Sequence, residues 1–218
     1  MSERVQSPSS PPEAGVEGGG SLLSEPILVI NQKAKMIELT IEHDVFDQHG
    51  NQIGMVCEVG QSQVKKAVRL LSSLDQYLTH RLEIRDAAGN PVLGLTRPAK
   101  FMKSKFVVTG ADGTEIGDIK QANVMGKKRF ALEVGGETVG QLRAENWRAW
   151  DFHIVDADEH EVARITKKWE GLGKAMFTTA DNYVLEFTAP VADPLRSLIV
   201  VTALCIDTAL KQDARGLN

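Results

Sequence analysis

The feature that most constrains this chain is a short plan that recurs five times. DQHGNQIG (Asp47 to Gly54), GADGTEIG (Gly110 to Gly117) and VGGETVG (Val134 to Gly140) each set a turn ahead of a β-branched residue and a glycine. DAAGNPVLG (Asp86 to Gly94) is one residue longer, and DADEHEVA (Asp156 to Ala163) replaces the glycines while keeping the pattern. Gly and Asn tolerate the positive φ that tight hairpin turns require, and every copy lies between short stretches of alternating apolar and polar residues. Each copy therefore predicts a β-hairpin. RFALEV (Arg129 to Val134) and DFHIV (Asp151 to Val155) put their apolar residues on one face, so one face is core and the other is solvent. Gly54, Gly94, Gly117 and Gly140, in the return strands, predict a bend or a close approach in a curved sheet. A sixth hairpin is predicted over Lys174 to Phe187, turning at Ala180 to Asn182, for about twelve strands in all. A single sheet that wide closes or splits. The expected class is mainly β: a closed antiparallel barrel.

Two stretches break the repeat. Gln63 to Leu74 places Val64, Ala67, Val68, Leu71 and Leu74 at helical spacing, which predicts a surface helix between strands. Asp193 to Leu210 opens with Asp-Pro, and from Leu198 to Ile206 it is apolar on nearly every side. A helix of that kind must be surrounded. From Leu195 to Leu210 it would reach only about 24 Å, and Arg196 and Asp207 interrupt it, whereas a bilayer core needs roughly 30 Å. A barrel of about twelve strands has an interior too wide for its own side chains to fill. The helix is therefore expected inside the barrel rather than in a membrane, with Leu198, Ile199, Val201, Leu204, Cys205 and Ile206 in its core.

The remaining chain sets the boundaries. Residues 1–24, rich in Ser, Pro, Gly and Glu, cannot repay the entropy of ordering and predict a disordered tail. Pro8, Pro11 and Pro12 in that tail are read as solubilising rather than as a recognition segment. The barrel is expected over 25–212, with its central helix at 194–211 and a short tail at 213–218. Net charge −4 and a pI near 5.8 give no overall basic field, so nucleic acid is not an expected partner. Cys57 and Cys205, far apart and in apolar stretches, fit free thiols in a reducing compartment. No apolar run follows Met1, so secretion is not expected.

From about Leu82 to Leu210 the chain resembles the phospholipid scramblase family. The stretch that carries most of the resemblance is KKWEGLGKAMFTTADNY (Lys167 to Tyr183), followed by the apolar helix at the family's spacing. LEIRDAAGNPVLGLTRP (Leu82 to Pro98), ADGTEIGDI (Ala111 to Ile119) and DFHIVDADEHEVARI (Asp151 to Ile165) resemble successive family strands. The resemblance implies the twelve-stranded barrel with a central C-terminal helix shared with Tubby-like and LURP-one-related proteins. It also implies a calcium segment at Thr179 to Pro190, where the family carries acidic residues at the first, third and last positions. Only Asp181 is acidic among those three here, and Val184 stands where the family has a glycine. Ca²⁺ takes about six to eight oxygen ligands, so a strong site is not expected. Asp181, Asn182 and Glu186 remain weak candidates beside the simpler reading of Asp-Asn as a hairpin turn. No cofactor is firmly expected.

Basic residues gather at Arg97, Lys100, Lys103 and Lys105, at Lys127, Lys128 and Arg129, and at Lys167 and Lys168. Anionic lipid headgroups attract such clusters by about 1 kcal/mol per residue, and the competing reading of each cluster is a solvated face. Trp147, Trp150 and Trp169 are expected in the core, with a lipid interface as the alternative. GLGK (Gly171 to Lys174) lacks the spacing of a phosphate loop. His43, His49, His80, His153 and His160 show no metal-ligand spacing and are read mostly as surface residues, and no catalytic motif is visible. An enzyme is not expected. By resemblance, the expected function is ATP-independent transbilayer movement of phospholipid by a membrane-associated protein. The alternatives are a soluble barrel that binds an anionic lipid or a small apolar ligand, and a protein-interaction scaffold whose partners the sequence does not identify. An intracellular location follows, cytoplasmic or peripheral at the inner face of the plasma membrane.

Overall fold

The computed structural model describes residues 21–32, 42–59, 80–97, 105–122, 129–146, 151–167 and 182–215. Twelve antiparallel strands close on themselves: β1 (Ile27–Gln32), β2 (Glu42–Phe46), β3 (Gln52–Val59), β4 (His80–Asp86), β5 (Pro91–Arg97), β6 (Lys105–Gly110), β7 (Glu115–Gln121), β8 (Arg129–Val134), β9 (Glu137–Asn146), β10 (Asp151–Asp156), β11 (Glu161–Thr166) and β12 (Asn182–Phe187). One helix, α1 (Leu195–Arg215), follows. Each strand pairs with its sequence neighbours, and β1 pairs with β12 to close the barrel. The five expected hairpins are β2–β3, β4–β5, β6–β7, β8–β9 and β10–β11.

The repeated β-branched residue has one structural role throughout. In all five hairpins the register slips at the same place, leaving Ile53, Val92, Ile116, Val139 or Val162 as the extra residue of a bulge. A bulge bends its strand and increases local twist, which a sheet needs in order to close. All five side chains are buried or pack against the core. The following glycine permits close approach. A Cβ on Gly117 would stand 2.2 Å from the Glu133 carbonyl oxygen, and one on Gly54 would stand 2.5 Å from that of Arg85.

The turns repeat as well. Asp47 donates its amide to the Asn51 carbonyl at 2.9 Å, and Asp86 and Asp156 do the same to Asn90 and His160. Gly50, Gly89 and Gly113 hold φ near +85° at equivalent places, where the fifth turn has Glu159 at φ 67°. A side chain in that conformation costs about 1 kcal/mol. The Glu159 carboxylate accepts from Arg143 at 2.5 Å.

Inside the barrel, α1 is buried on every side from Ser197 to Cys205 and approaches β5, β7 and β8 most closely. Leu198, Ile199, Val201, Leu204 and Cys205 lie in the core, and the side chain of Ile206 is outside the described residues. Helical hydrogen bonding outlasts the apolar run, so α1 extends to Arg215 rather than ending at 211. The Tyr183 hydroxyl donates to the Ala203 carbonyl at 3.0 Å, tying β12 to the helix. Asp193 accepts from the Ser197 amide at 3.1 Å and its hydroxyl at 2.7 Å, capping the helix start.

Two expectations change. The sixth pair of strands is not the hairpin Lys174 to Phe187. Both edges of β12 are taken, by β11 and by β1, so the barrel is completed by strands from the two ends of the chain. The other limb of that expected hairpin, and the expected helix at Gln63 to Leu74, lie outside the described residues. The tail expected over 1–24 also stops short of Ser24: Ser21 to Ser24 form a turn, and Leu22, 2% exposed, packs over Gly54, while residues 1–20 lie outside the described residues.

Replacing Gly117 by Ala is expected to lower stability by about 1–3 kcal/mol, the usual penalty for overpacking. Gly110→Ala meets the Asp112 carboxylate at 3.0 Å and the Thr114 carbonyl oxygen at an ordinary 3.9 Å, and should cost less than half as much. Urea unfolding midpoints of the two variants check the difference.

Candidate functional site

The closed meander separates two kinds of connection. Tight turns join β2 to β3, β4 to β5, β6 to β7, β8 to β9 and β10 to β11 at one end of the barrel, which also holds the Ser21–Pro26 segment and the start of α1. The longer connections all leave from and return to the opposite end. Of the sequence-predicted basic residues, those that are described stand at that second end. Arg97 closes β5, Lys105 opens β6, Arg129 opens β8 and Lys167 follows β11. Lys100, Lys103, Lys127, Lys128 and Lys168 lie in the connections between such strand ends, outside the described residues, as do Trp147, Trp150 and Trp169. Arg97, Lys105, Arg129 and Lys167, up to 70 residues apart in sequence, are thus drawn to one rim.

Cross-strand register adds groups that sequence reasoning missed. Lys105 lies 3.0 Å from Asp118, and Lys120 lies between Asp118 and Glu133, bonded to Glu133 and 3.7 Å from Asp118. The Glu133 carboxylate raises the Lys120 pKa above the ordinary lysine value. Asp118, 8% exposed, is the buried centre of this line of charges on the outer wall. No run of residues signals it, because its members meet only through the β6–β7 and β7–β8 pairings. A second outer-wall group joins His153 Nδ1 to Glu161 at 2.7 Å, with Arg164 3.1 Å from the same carboxylate. These contacts hold the Glu161 pKa below the usual glutamate value against the opposing effect of burial. His43 is buried, contrary to the surface position expected of it.

Of the calcium candidates, the two described ones, Asn182 and Glu186, stand apart along β12. Asp181 lies outside the described residues. Asn182 is 4% exposed at the start of β12 and Glu186 is near its end, and four residues along a strand span about 13 Å. Donors to one Ca²⁺ must all lie within about 2.6 Å of it. The β10–β11 turn brings Asp156, Asp158 and His160 within 4.8 Å of one another. There the Asp156 carboxylate already accepts the amides of Asp158 and His160 at 3.0 and 2.9 Å, which closes the turn.

At the barrel interior, a small cavity of about 20 Å³ lies between α1 and β5–β9, lined by Leu95, Phe106, Ile119, Phe130, Leu142, Thr202 and Cys205. That is room for about one water-sized group. Burial pushes the Cys205 thiol up to about 12, so it stays protonated and unreactive. Among the described residues no helix is long and apolar enough to cross a membrane.

At the other end, Arg196 binds three parts of the chain together. Its Nε donates to the Leu23 carbonyl, its Nη2 donates to that of Glu25 at 2.6 Å, and its guanidinium lies 4.0 Å over the Phe187 ring. Burial lowers its pKa below the ordinary arginine value. The helix start, the end of β12 and the segment leading into β1 are thereby joined.

Taken together, these features define a class: a closed twelve-stranded antiparallel barrel with a buried C-terminal helix. The sequence pattern of the Scramblase family matches residues 6–210, and the chain belongs to that family. It is 25% identical to the phospholipid scramblase family protein of Schizosaccharomyces pombe over 78% of this chain and 48% of that protein. It is 26% identical to altered inheritance rate of mitochondria protein 25 of Saccharomyces cerevisiae over 77% of this chain and 60% of that protein. Human phospholipid scramblase 2 is 21% identical over 92% of this chain and 72% of its own length. The chain thus spans between about half and three fifths of the two fungal relatives. A solved structure of an Arabidopsis thaliana protein aligns with 87% of this chain and 99% of its own, at 14% identity and a TM-score of 0.48.

Arg196→Ala leaves two half-buried carbonyls without their donor and is expected to cost about 2–3 kcal/mol. Thermal unfolding and the rate of proteolysis after Leu23 should both show the loss.

Proposed function

We propose that this chain acts at phospholipid bilayers as a membrane-associated, scramblase-like protein that mediates ATP-independent transbilayer movement of phospholipid. The observation that carries the reading is the extent of the family match, 6–210, which takes in all twelve strands and most of the helix. Anionic phospholipid is the proposed partner, a reading supported by the described candidates Arg97, Lys105, Arg129 and Lys167, which share one end of the barrel. Calcium is not part of the proposal, because Asn182 and Glu186 stand too far apart to share an ion. The reaction is movement of lipid rather than catalysis. The proposed location is peripheral, on an intracellular membrane surface.

A second reading has a specific observation behind it. The apolar helix is enclosed by the barrel, and among the described residues no helix is long and apolar enough to cross about 30 Å of hydrocarbon. Headgroup binding without flipping follows if the barrel stays closed. A preformed pocket for an apolar ligand is less well supported, since the cavity beside α1 holds only about 20 Å³.

Purified protein reconstituted into vesicles with a fluorescent lipid separates the readings. The proposal expects dithionite-accessible label to rise above that of protein-free vesicles, without leakage and equally in Ca²⁺ or chelator. Flotation without extra accessible label supports the binding barrel, and neither result supports a protein scaffold.

A further inference from the structure

Strand register builds a row of basic residues on the outer wall that sequence spacing does not show. Arg129, Arg143, His153 and Arg164 stand directly opposite one another on β8, β9, β10 and β11. Their sequence neighbours Phe130, Leu142, Phe152 and Ile165 lie in the core, so all four face outward. Like charges directly opposite each other destabilise a sheet, so the row calls for anions. At the β11 end the wall supplies them. Glu161 lies 2.7 Å from His153 and 3.1 Å from Arg164, Asp151 lies 3.5 Å from His153, and Glu186 pairs with Arg164 from β12. At the β8 end the anion comes from farther away. Glu133, on the same strand as Arg129, is bonded to Lys120. Arg143 donates instead to Glu159 of the β10–β11 turn, at 2.5 Å, and that carboxylate is 67% exposed. Arg143, and Arg129 less strongly, hold the Glu159 carboxyl below the usual glutamate range. Glu159 reaches them from φ 67°, at the place where Gly50, Gly89 and Gly113 serve other turns. A carboxylate is thus kept on a backbone position that favours glycine. Beside the two arginines the wall is low: Ala131 lies opposite Gln141, which accepts from Arg143 Nη2 at 3.3 Å.

We propose that Arg129 and Arg143 form a binding site for a phosphate monoester, and that Glu159 occupies it as a tethered, displaceable counter-anion when no ligand is bound. A phosphate monoester carries a charge of about −1.5 to −2 near pH 7, more than the single charge of a carboxylate. Its three terminal oxygens can accept from both guanidiniums at once, and the planar fork of arginine matches them. An exposed ion pair such as Arg143 with Glu159 is weak and screened by salt, so giving it up costs little. Neighbouring strands lie about 5 Å apart, which sets the two arginines at a separation that one phosphate group bridges. The same chemistry is offered by a lipid headgroup and by a soluble phosphate compound. A lipid source rests on the membrane reading above, whereas the site itself does not.

Two probes and three variants of the full chain test the site. Calorimetry follows inorganic phosphate, and flotation follows phosphatidylcholine vesicles carrying phosphatidic acid. Glu159→Gly removes the tethered anion and should tighten binding by about threefold to fivefold. Glu115→Gln removes the same charge from an exposed position on β7 and should leave affinity within about 1.5-fold, since salt screens distant exposed charges. Adding Arg143→Gln to Glu159→Gly should weaken binding about tenfold or more. Unfolding midpoints confirm that the variants fold, and Arg129→Gln, at an exposed residue, replaces Arg143→Gln if that variant does not. The expected gain on phosphatidic acid vesicles assigns the site to a lipid headgroup. The expected gain with inorganic phosphate, without flotation on any vesicle, keeps the site for a soluble compound and overturns the membrane reading. No gain from Glu159→Gly with either probe, an equal gain from Glu115→Gln, or an equal gain on phosphatidylserine vesicles of matched charge would overturn the site. Flotation of the parent chain in those cases leaves the membrane reading standing.

Discussion

Enclosure of α1 is the constraint on which the rest of this structure depends. Twelve strands surround more space than their own inward side chains can fill, and a helix apolar on every side cannot remain in water. Each solves the other's problem. Fully burying a Leu, Ile or Val contributes about 1.5–3 kcal/mol, and Leu198, Ile199, Val200, Val201 and Leu204 are all 0% exposed. Removing the helix would leave a large apolar void, so the barrel and α1 are expected to be stable only together.

The closed wall in turn depends on the five bulges. A bulge near each tight turn bends that hairpin in the same place and the same sense, and five such bends distribute the curvature around the barrel. This explains why the turn end is chemically uniform. Asp, Asn and Gly are required there by backbone geometry, and the carboxylates of Asp47, Asp86 and Asp156 are used to close their own turns.

Much of the fold was legible because it is local. Turn, β-branched residue and glycine lie within nine residues of one another, so the hairpins could be read from spacing, and the run apolar on nearly every side from Leu198 to Ile206 identified the core helix. What escaped was non-local. Pairing of β1 with β12 joins residues more than 150 positions apart and leaves no turn signal, so 174–187 was read as a hairpin of its own. Leu22 looked like part of a polar tail because a pair of leucines is too short to show a period. The line from Lys105 through Asp118 and Lys120 to Glu133 exists only once strand register is known. For the candidate site, residue types were legible and their common location was not, since only the closed topology brings Arg97, Arg129 and Lys167 to the same end.

The proposed action at a bilayer and the buried helix make competing demands, and the central claim is that α1 stays enclosed by the barrel in the presence of anionic vesicles. Amide hydrogen exchange of Leu198 to Cys205, followed with and without anionic vesicles, tests that claim most directly. The account predicts that these amides exchange only through global unfolding, with protection unchanged by lipid. Loss of protection in the strands facing α1 on vesicle binding, with the helix amides still protected, would show that the helix leaves the barrel for the membrane and would contradict the account.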